Sequence, residues 1–142
     1  MKRILVVDDE SISRRLLKAL LEPLGYEVTL ASNGEEALEY FKGYPFSFVL
    51  MDFNMPKMDG LKATDKIRRL EKKPNAYIVG LTAWQDQSRL EEGIKAGMNL
   101  VCLKPITVEL MNKICQEYKI NSQKSKGYTI SCSNEYSEAG FF

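Results

Sequence analysis

The chain has 142 residues, of which 20 are basic and 19 acidic, so no overall field draws the protein onto DNA or an anionic membrane. Its length and its hydrophobic content of 44% suit one domain of ordinary size with a short extension. The sequence contains no histidine, which excludes His-based acid–base catalysis and most zinc sites. Any chemistry must therefore use carboxylates, hydroxyls, lysine or a hard metal ion.

Three features of the sequence predict a cytoplasmic protein. No apolar run approaches the ~20 residues that a membrane span requires. The first apolar stretch is too short, and wrongly flanked, for a signal peptide. The cysteines, Cys102, Cys115 and Cys132, are odd in number and lack metal-site spacing, which is typical of a reducing compartment.

Apolar runs predict five β-strands, at Ile4–Val7, Val28–Ala31, Phe46–Met51, Tyr77–Leu81 and Leu100–Leu103. Four of these runs are nearly continuous, as expected of strands that are buried on both faces of a parallel sheet. The second is preceded by Glu27 and alternates polar with apolar residues, which favours an edge strand.

Helical patterns lie between and after these runs. Apolar residues spaced by four predict a first helix through Ile12, Leu16 and Leu20. Ser32–Glu35 resembles a capping box at the start of the second helix, Gly97 is a stop signal for the fourth, and Thr107 can cap the fifth. Strand and helix thus alternate five times. We expect an α/β fold, a three-layer doubly wound (βα)5 flavodoxin-like sandwich with a parallel sheet in the order 2-1-3-4-5.

The composition changes after Tyr118. Residues 119–142 are rich in Ser, Lys, Asn and Gly and show no helical periodicity, so we divide the chain into a domain at 1–118 and a polar C-terminal tail at 119–142. Composition favours a mobile tail. A docking arm is the alternative, because Tyr128, Ile130 and Cys132 alternate with small polar residues as in a strand that could add to a neighbour's edge.

Residues that can carry chemistry stand where four of the predicted strands end. Asp8 and Asp9 follow the first strand, Asp52 follows the third, Thr82 ends the fourth and Lys104 follows the fifth. Each alone has an ordinary structural interpretation as a turn residue, a helix cap or a surface charge. Ligand sites of open α/β sheets lie beyond the carboxyl ends of the strands, at the point where the strand order reverses. The placement of all these residues at strand ends therefore favours a single site.

The carboxylates of this cluster require a compensating charge. Two of them ~4 Å apart repel by about 4 kcal/mol at an effective dielectric of 20. Oxygen ligands with room for water and a phosphate oxygen favour Mg²⁺ over softer metals. Lys104 adds a fixed positive charge and Thr82 a hydroxyl donor, so the pocket suits a phosphoryl group with a carboxylate as nucleophile.

These residues, together with the segment from Met51 to Gly60 and the pairs Thr82-Ala83 and Lys104-Pro105, resemble the receiver domains of two-component signalling over residues 2–118. The resemblance implies that Asp52 is the phosphoacceptor and that Thr82 and Lys104 contact the phosphoryl oxygens.

The resemblance also implies the metal ligands. Asp9 and Asp52 would bind Mg²⁺ through their side chains, Asn54 through its backbone carbonyl and Asp8 through water. The Met-Pro-x-Met-Asp-Gly segment, residues 55–60, is most similar to receivers of hybrid sensor kinases.

Further expectations follow from the resemblance. The phosphodonor is a histidine kinase or a histidine phosphotransfer protein, since this chain has no histidine, and the output face comprises the fourth and fifth helices with the strand between them. The Lys104–Pro105 bond is expected to be cis. Val101 departs from the family pattern, because many receivers have Tyr or Phe there, so we expect Thr82 to move on phosphorylation without a ring flip. Independently of the resemblance, Trp84 follows Thr82 by two residues, so we expect it in the loop at the rim of the pocket.

Two other functions are compatible with this cluster. A Mg²⁺-dependent phosphohydrolase would need a second acid two residues after the nucleophile, where this chain has Asn54. A phosphorylation-independent interaction module would not need the full set of site residues. The 24 residues after Tyr118 are too few for a common DNA-binding domain, so nucleic acid is not expected as a direct partner. A membrane is not expected either, because no apolar run is long enough to span one. The downstream target is not indicated.

Overall fold

The computed structural model describes residues 2–72, 76–84 and 86–122. Five strands alternate with five helices along the chain. The strands are β1 (Lys2–Val7), β2 (Tyr26–Ala31), β3 (Phe48–Asp52), β4 (Tyr77–Thr82) and β5 (Leu100–Leu103). The helices are α1 (Ser11–Leu21), α2 (Gly34–Gly43), α3 (Gly60–Leu70), α4 (Gln87–Ala96) and α5 (Val108–Ser122), with a 3₁₀ turn at Glu22–Leu24.

The strands form one parallel sheet in the order β2-β1-β3-β4-β5, which confirms the predicted topology and the edge position of β2. In the register, Val7 pairs with Met51 and Asp52 pairs with Leu81. The carboxyl ends of β1, β3 and β4 therefore lie side by side. The strand order reverses between β1 and β3, which places the switch point at Asp52.

Apolar residues cover both faces of the sheet because successive side chains of a buried strand point to opposite sides. Ile4 and Val6 pack with residues of α1 and α5, whereas Leu5 and Val7 pack with residues of α2, α3 and α4. This division confirms the three-layer arrangement. Among the described residues, no helix is both long and apolar enough to cross a bilayer.

Local signals set most of the helix ends. Gly97 ends α4 with φ 119°, in the left-handed region that favours glycine, as predicted. The Oγ1 of Thr107 accepts a hydrogen bond from the Leu110 N–H, which confirms Thr107 as the cap of α5. The predicted capping box at Ser32–Glu35 is wrong by one residue. Asn33 is the cap of α2, and its side chain accepts from the N–H of Glu36, whose carboxylate in turn accepts from Ser32.

One predicted strand boundary differs from the structure. Strand β3 begins at Phe48 rather than at Phe46, because the ladder with β4 starts at the pair of Phe48 and Tyr77, whereas Phe46 is buried and packs edge-on against Tyr44. Helix α5 continues to Ser122, four residues past Tyr118, and the division of the chain into a domain and a tail stays a prediction. The remainder of the predicted tail, 123–142, including the candidate arm residues, lies outside the described residues.

Candidate functional site

The predicted site residues meet at the carboxyl edge of the sheet. Asp8 directly follows β1, Asp52 and Thr82 are the last residues of β3 and β4, and Lys104 directly follows β5. The N–H of Lys104 donates to the carbonyl oxygen of Thr82 at 2.9 Å, which joins the ends of β4 and β5. The fold thus brings side chains that are up to 96 positions apart in the sequence into one pocket.

Three carboxylates form the acidic half of the pocket. One carboxylate oxygen each from Asp8, Asp9 and Asp52 lies within 4.8 Å of the others. Asp8 and Asp52 are buried, at 0% and 5% exposure, whereas Asp9 is exposed and leaves the cluster open to solvent. Clustered oxygens with one open side are a donor set that suits a hard divalent cation such as Mg²⁺.

Lys104 provides the basic half. Its Nζ lies 3.2 Å from Asp8 Oδ2 and 3.1 Å from Asp52 Oδ1, so a single ammonium bridges two buried carboxylates. The other Asp8 oxygen, Oδ1, accepts the N–H of Glu10 at 3.0 Å. Both oxygens of Asp8 are therefore engaged within the protein, and Lys104 is held against the nucleophile candidate Asp52.

The surroundings shift the ionisation of Asp52 and Lys104. Burial, and next the neighbouring Asp8 charge, raise the pKa of Asp52 to about 6, even though Lys104 acts in the opposite direction. For Lys104, burial lowers the pKa, but the Asp52 and Asp8 carboxylates outweigh burial and the net direction is upward. At neutral pH the pocket thus contains a carboxylate that is costly to ionise beside a firmly protonated lysine.

Thr82 occupies the wall of the pocket with a partly satisfied hydroxyl. Its side chain is buried, and its Oγ1 accepts a hydrogen bond from the N–H of Trp84 at 3.1 Å. A hydroxyl that accepts through one lone pair still has its own proton to donate. Trp84 itself is 57% exposed in the loop after β4, which agrees with a position at the rim.

The loops after β3 and β5 leave the sheet at the same edge as the carboxylate cluster. Asn54 lies two residues after Asp52 and is exposed, and its role as a ligand stays a prediction. The Lys104–Pro105 bond is cis, as the resemblance implied. Lys57 has φ 68°, in the left-handed region, and is the one described non-glycine residue with that conformation.

Sequence reasoning missed two residues that shape the pocket. Arg14 donates from Nη1 to the Asp8 carbonyl at 2.7 Å and so holds the main chain after β1. A cation near the start of a helix is unfavourable to the helix dipole, and this was the available signal. Gly60 begins α3 so near to β3 that an added methyl group would lie 1.9 Å from the Asp52 carbonyl oxygen. A larger residue would require the backbone to shift at Asp52 or at the start of α3.

The fold and the acidic pocket at its switch point define a doubly wound domain with a site for a cation and an anionic group. The model of the response regulator receiver domain matches residues 4–116, and the chain belongs to this family. It is therefore a phosphoacceptor domain of two-component signalling, a switch rather than a classical enzyme.

The relatives include stand-alone receivers and much longer kinases. The chain is 39% identical over 118 residues to the chemotaxis protein CheY of Thermotoga maritima, which covers 80% of this chain and 97% of that protein. It is 39% identical over 108 residues to the sensor protein EvgS of Escherichia coli, covering 76% of this chain but only 9% of EvgS. A structure of the chemotaxis protein CheY4 of Vibrio cholerae is similar with a TM-score of 0.79 and 30% identity, covering 83% of this chain and 98% of that one.

Proposed function

We propose that Asp52 is the residue that accepts the phosphoryl group. The observation that carries this proposal is the contact between Lys104 and the buried Asp52 carboxylate, 3.1 Å apart, at the switch point of the sheet. One Asp52 oxygen attacks phosphorus as the P–N bond of a phosphohistidine breaks. The electron pair of that bond returns to the imidazole nitrogen, and an aspartyl phosphate forms.

Lys104 and Thr82 are placed to hold the transferred group. Lys104 already contacts both buried carboxylates, so its ammonium needs only a small movement to reach a phosphoryl oxygen bound to Asp52. The Thr82 hydroxyl, at the end of the adjacent strand, can donate to a second oxygen. Positioning and charge neutralisation supply most of what phosphoryl transfer requires.

The clustered carboxylates of Asp8, Asp9 and Asp52 fit Mg²⁺. We propose that Asp9 and Asp52 would bind it directly, Asp8 through water, and Asn54 through its backbone carbonyl. A bound Mg²⁺ would neutralise charge on the oxygens of the transferring group. The N–H of Glu10 and the ammonium of Lys104 hold the Asp8 carboxylate in the cluster, and Asp9 is exposed to solvent. Mg²⁺ dependence of the reaction is thus part of the proposal.

We expect the donor to be a histidine kinase or a histidine phosphotransfer protein, which approaches over α1. Ile12 and Leu16 of α1 are exposed, at 77% and 49%. Leu16 lines a cavity of about 330 Å³ together with Pro105 and Ile106, and Asp8 and Lys104 form part of its wall. An apolar surface that adjoins Lys104 suits a helix that presents a phosphohistidine. A yeast receiver bound to the phosphotransfer protein Ypd1 has a similar structure, with a TM-score of 0.80 and 25% identity, covering 89% of this chain and 94% of that one.

The proposed output face comprises α4, β5 and α5, where the phosphorylated state would be read by a downstream protein. Charged side chains such as Glu91, Lys95 and Lys113 are exposed on its two helices. Self-dephosphorylation is expected to be slow, because the amide of Asn54 cannot act as a general base for water. A sustained phosphoryl group distinguishes this proposal from a phosphohydrolase.

Acetyl phosphate with Mg²⁺, followed by intact mass measurement, tests the function. We expect one addition of about 80 Da in wild type, none in Asp52→Asn, and a normal addition in Asp65→Asn, a control at an exposed carboxylate of α3. EDTA should abolish the addition. Catalytic release of phosphate without a stable adduct would instead identify a hydrolase, and no reaction at all would identify an interaction module.

A further inference from the structure

Phe53 directly follows the proposed phosphoacceptor and is fixed on both sides. Its N–H donates to the Leu81 carbonyl of β4 at 2.9 Å, and its own carbonyl accepts the N–H of Gly60 at 2.8 Å. The ring is buried, with 1% exposure. Because Asp52 and Phe53 share a peptide bond, the hydrogen bonds that position Phe53 also hold the main chain beside Asp52.

Two glycines make room for the ring on the side of α4. A methyl group added to Gly80 of β4 would lie 2.7 Å from Phe53 Cε1, and one added to Gly93 of α4 would lie 3.0 Å from Phe53 Cζ. Met98 fills the remaining space, with its sulfur 2.2 Å and 3.0 Å from the same two methyl positions. The Phe53 ring and the Met98 thioether therefore occupy the volume that side chains at these positions would fill.

Val101 completes the same packed group. It is fully buried on β5 opposite Gly80 of β4, and its Cγ2 would lie 2.8 Å from a methyl group on Gly93. Many receivers have Tyr or Phe at the position of Val101. In this protein the aromatic ring near Gly93 of α4 belongs to Phe53, directly after β3.

We propose that Phe53 couples the phosphorylation state of Asp52 to the position of α4, through close contact with Gly80, Gly93 and Met98. This inference rests on the proposed function of Asp52. A phosphoryl group adds charge and three oxygens to the last residue of β3, and Lys104 and Thr82 must rearrange to meet it. A close-packed interior absorbs little of such a shift, because its side chains have few voids to move into. The ring therefore displaces α4, which has glycine at the point of contact.

The test compares Phe53→Leu with Phe46→Leu, a matched loss of a buried ring from the same side of the sheet but away from α4. Both proteins and wild type are treated with acetyl phosphate and Mg²⁺, and amide hydrogen exchange is followed across α4. Wild type and Phe46→Leu should show a phosphorylation-dependent change in α4 exchange. In Phe53→Leu, phosphorylated to the same extent, that change should fall by roughly fivefold or more. Phe53→Met, which keeps most of the volume without the ring, replaces the leucine variant if the latter does not fold.

Two results would overturn the inference: an unchanged α4 response in phosphorylated Phe53→Leu, or an equal loss in both variants, which would reflect general loosening of the core. Intact mass identifies the separate case in which wild type takes no phosphoryl group, and there the proposed function and this inference fail together.

Melting temperatures test the contact without phosphorylation. Gly93→Ala should lower the melting temperature of wild type, and lower it by less in a Phe53→Leu background, where Val101 and Met98 still oppose the methyl group but the ring does not. Gly43→Ala is the control, since no atom lies within 4 Å of a methyl group added there. An equal loss from Gly93→Ala in both backgrounds would show that Phe53 does not fill the space at α4.

Discussion

Replacing Asp52 with asparagine should make the metal-free protein more stable. Burial and the Asp8 charge raise the pKa of Asp52 from the usual 3.8 to about 6, so ionisation at neutral pH opposes folding. A difference of roughly 2 units corresponds to about 3 kcal/mol of unfolding free energy, at about 1.4 kcal/mol per unit. For a domain of this size the gain corresponds to a rise of about 10 °C in melting temperature.

The raised pKa of Asp52 determines how the stability gained in Asp52→Asn depends on pH. A carboxyl group with a raised pKa in the folded state lowers stability above that pKa, and the penalty disappears as the pH falls through the folded value toward the unfolded one. The advantage of Asp52→Asn should therefore be full above about pH 6 and vanish near pH 4. Thermal melts in EDTA across this range, with Glu91→Gln on the exposed surface of α4 as a control, measure it.

The second measurement compares wild type and Asp52→Asn with and without Mg²⁺. A ligand at 100 times its dissociation constant raises the free energy of unfolding by about 2.7 kcal/mol. Mg²⁺ should therefore stabilise wild type strongly and Asp52→Asn only weakly. The prediction is wrong if Asp52→Asn melts below wild type in EDTA at neutral pH and responds to Mg²⁺ as wild type does. That result would mean that the Lys104 contact outweighs the repulsion among the carboxylates.

Two further predictions concern the loops around the pocket. Trp84→Glu should shorten the life of the phosphorylated protein several-fold, because we expect the exposed indole to obstruct the attacking water, whereas a carboxylate there could activate it. Intact mass over time, without a phosphatase, measures the decay, and an unchanged rate would show that Trp84 does not control water access. Lys57→Asn should raise the free energy of unfolding by about 0.5–1 kcal/mol, since asparagine tolerates the left-handed conformation of Lys57. The control Lys62→Asn, inside α3, should lower stability in a urea titration, and a loss at both positions would contradict the strain at Lys57.

The sheet was predictable because parallel strands buried on both faces leave continuous apolar runs in the sequence. All five predicted runs overlap observed strands, and the topology predicts that the residues after them converge. Asp8, Asp52, Thr82 and Lys104 were found in this way, since a strand end is a local feature with a known position in the fold. The roles of these residues stay predictions until phosphorylation is measured.

Contacts between distant segments were not predictable from local pattern. Nothing near Gly60 in the sequence shows that its Cα approaches the Asp52 carbonyl, and nothing near Gly93 shows that it faces the Phe53 ring. Helix ends were uncertain for a different reason. Ser32 and Asn33 are both good caps, and the choice of Asn33 depends on Glu36 reaching back to Ser32.

The net charge of the pocket predicts whether the cation or the phosphodonor binds first. Three clustered carboxylates and one ammonium leave two negative charges, which is the charge that one divalent cation neutralises. An anionic phosphodonor that approaches before the cation meets this net negative field and a lysine already engaged by Asp8 and Asp52. A bound cation would replace Lys104 as the main counter-charge of the carboxylates and would leave its ammonium available to phosphoryl oxygens. Under the proposed function we therefore expect cation binding to precede phosphoryl transfer, because Lys104 is engaged by the carboxylates until a cation binds.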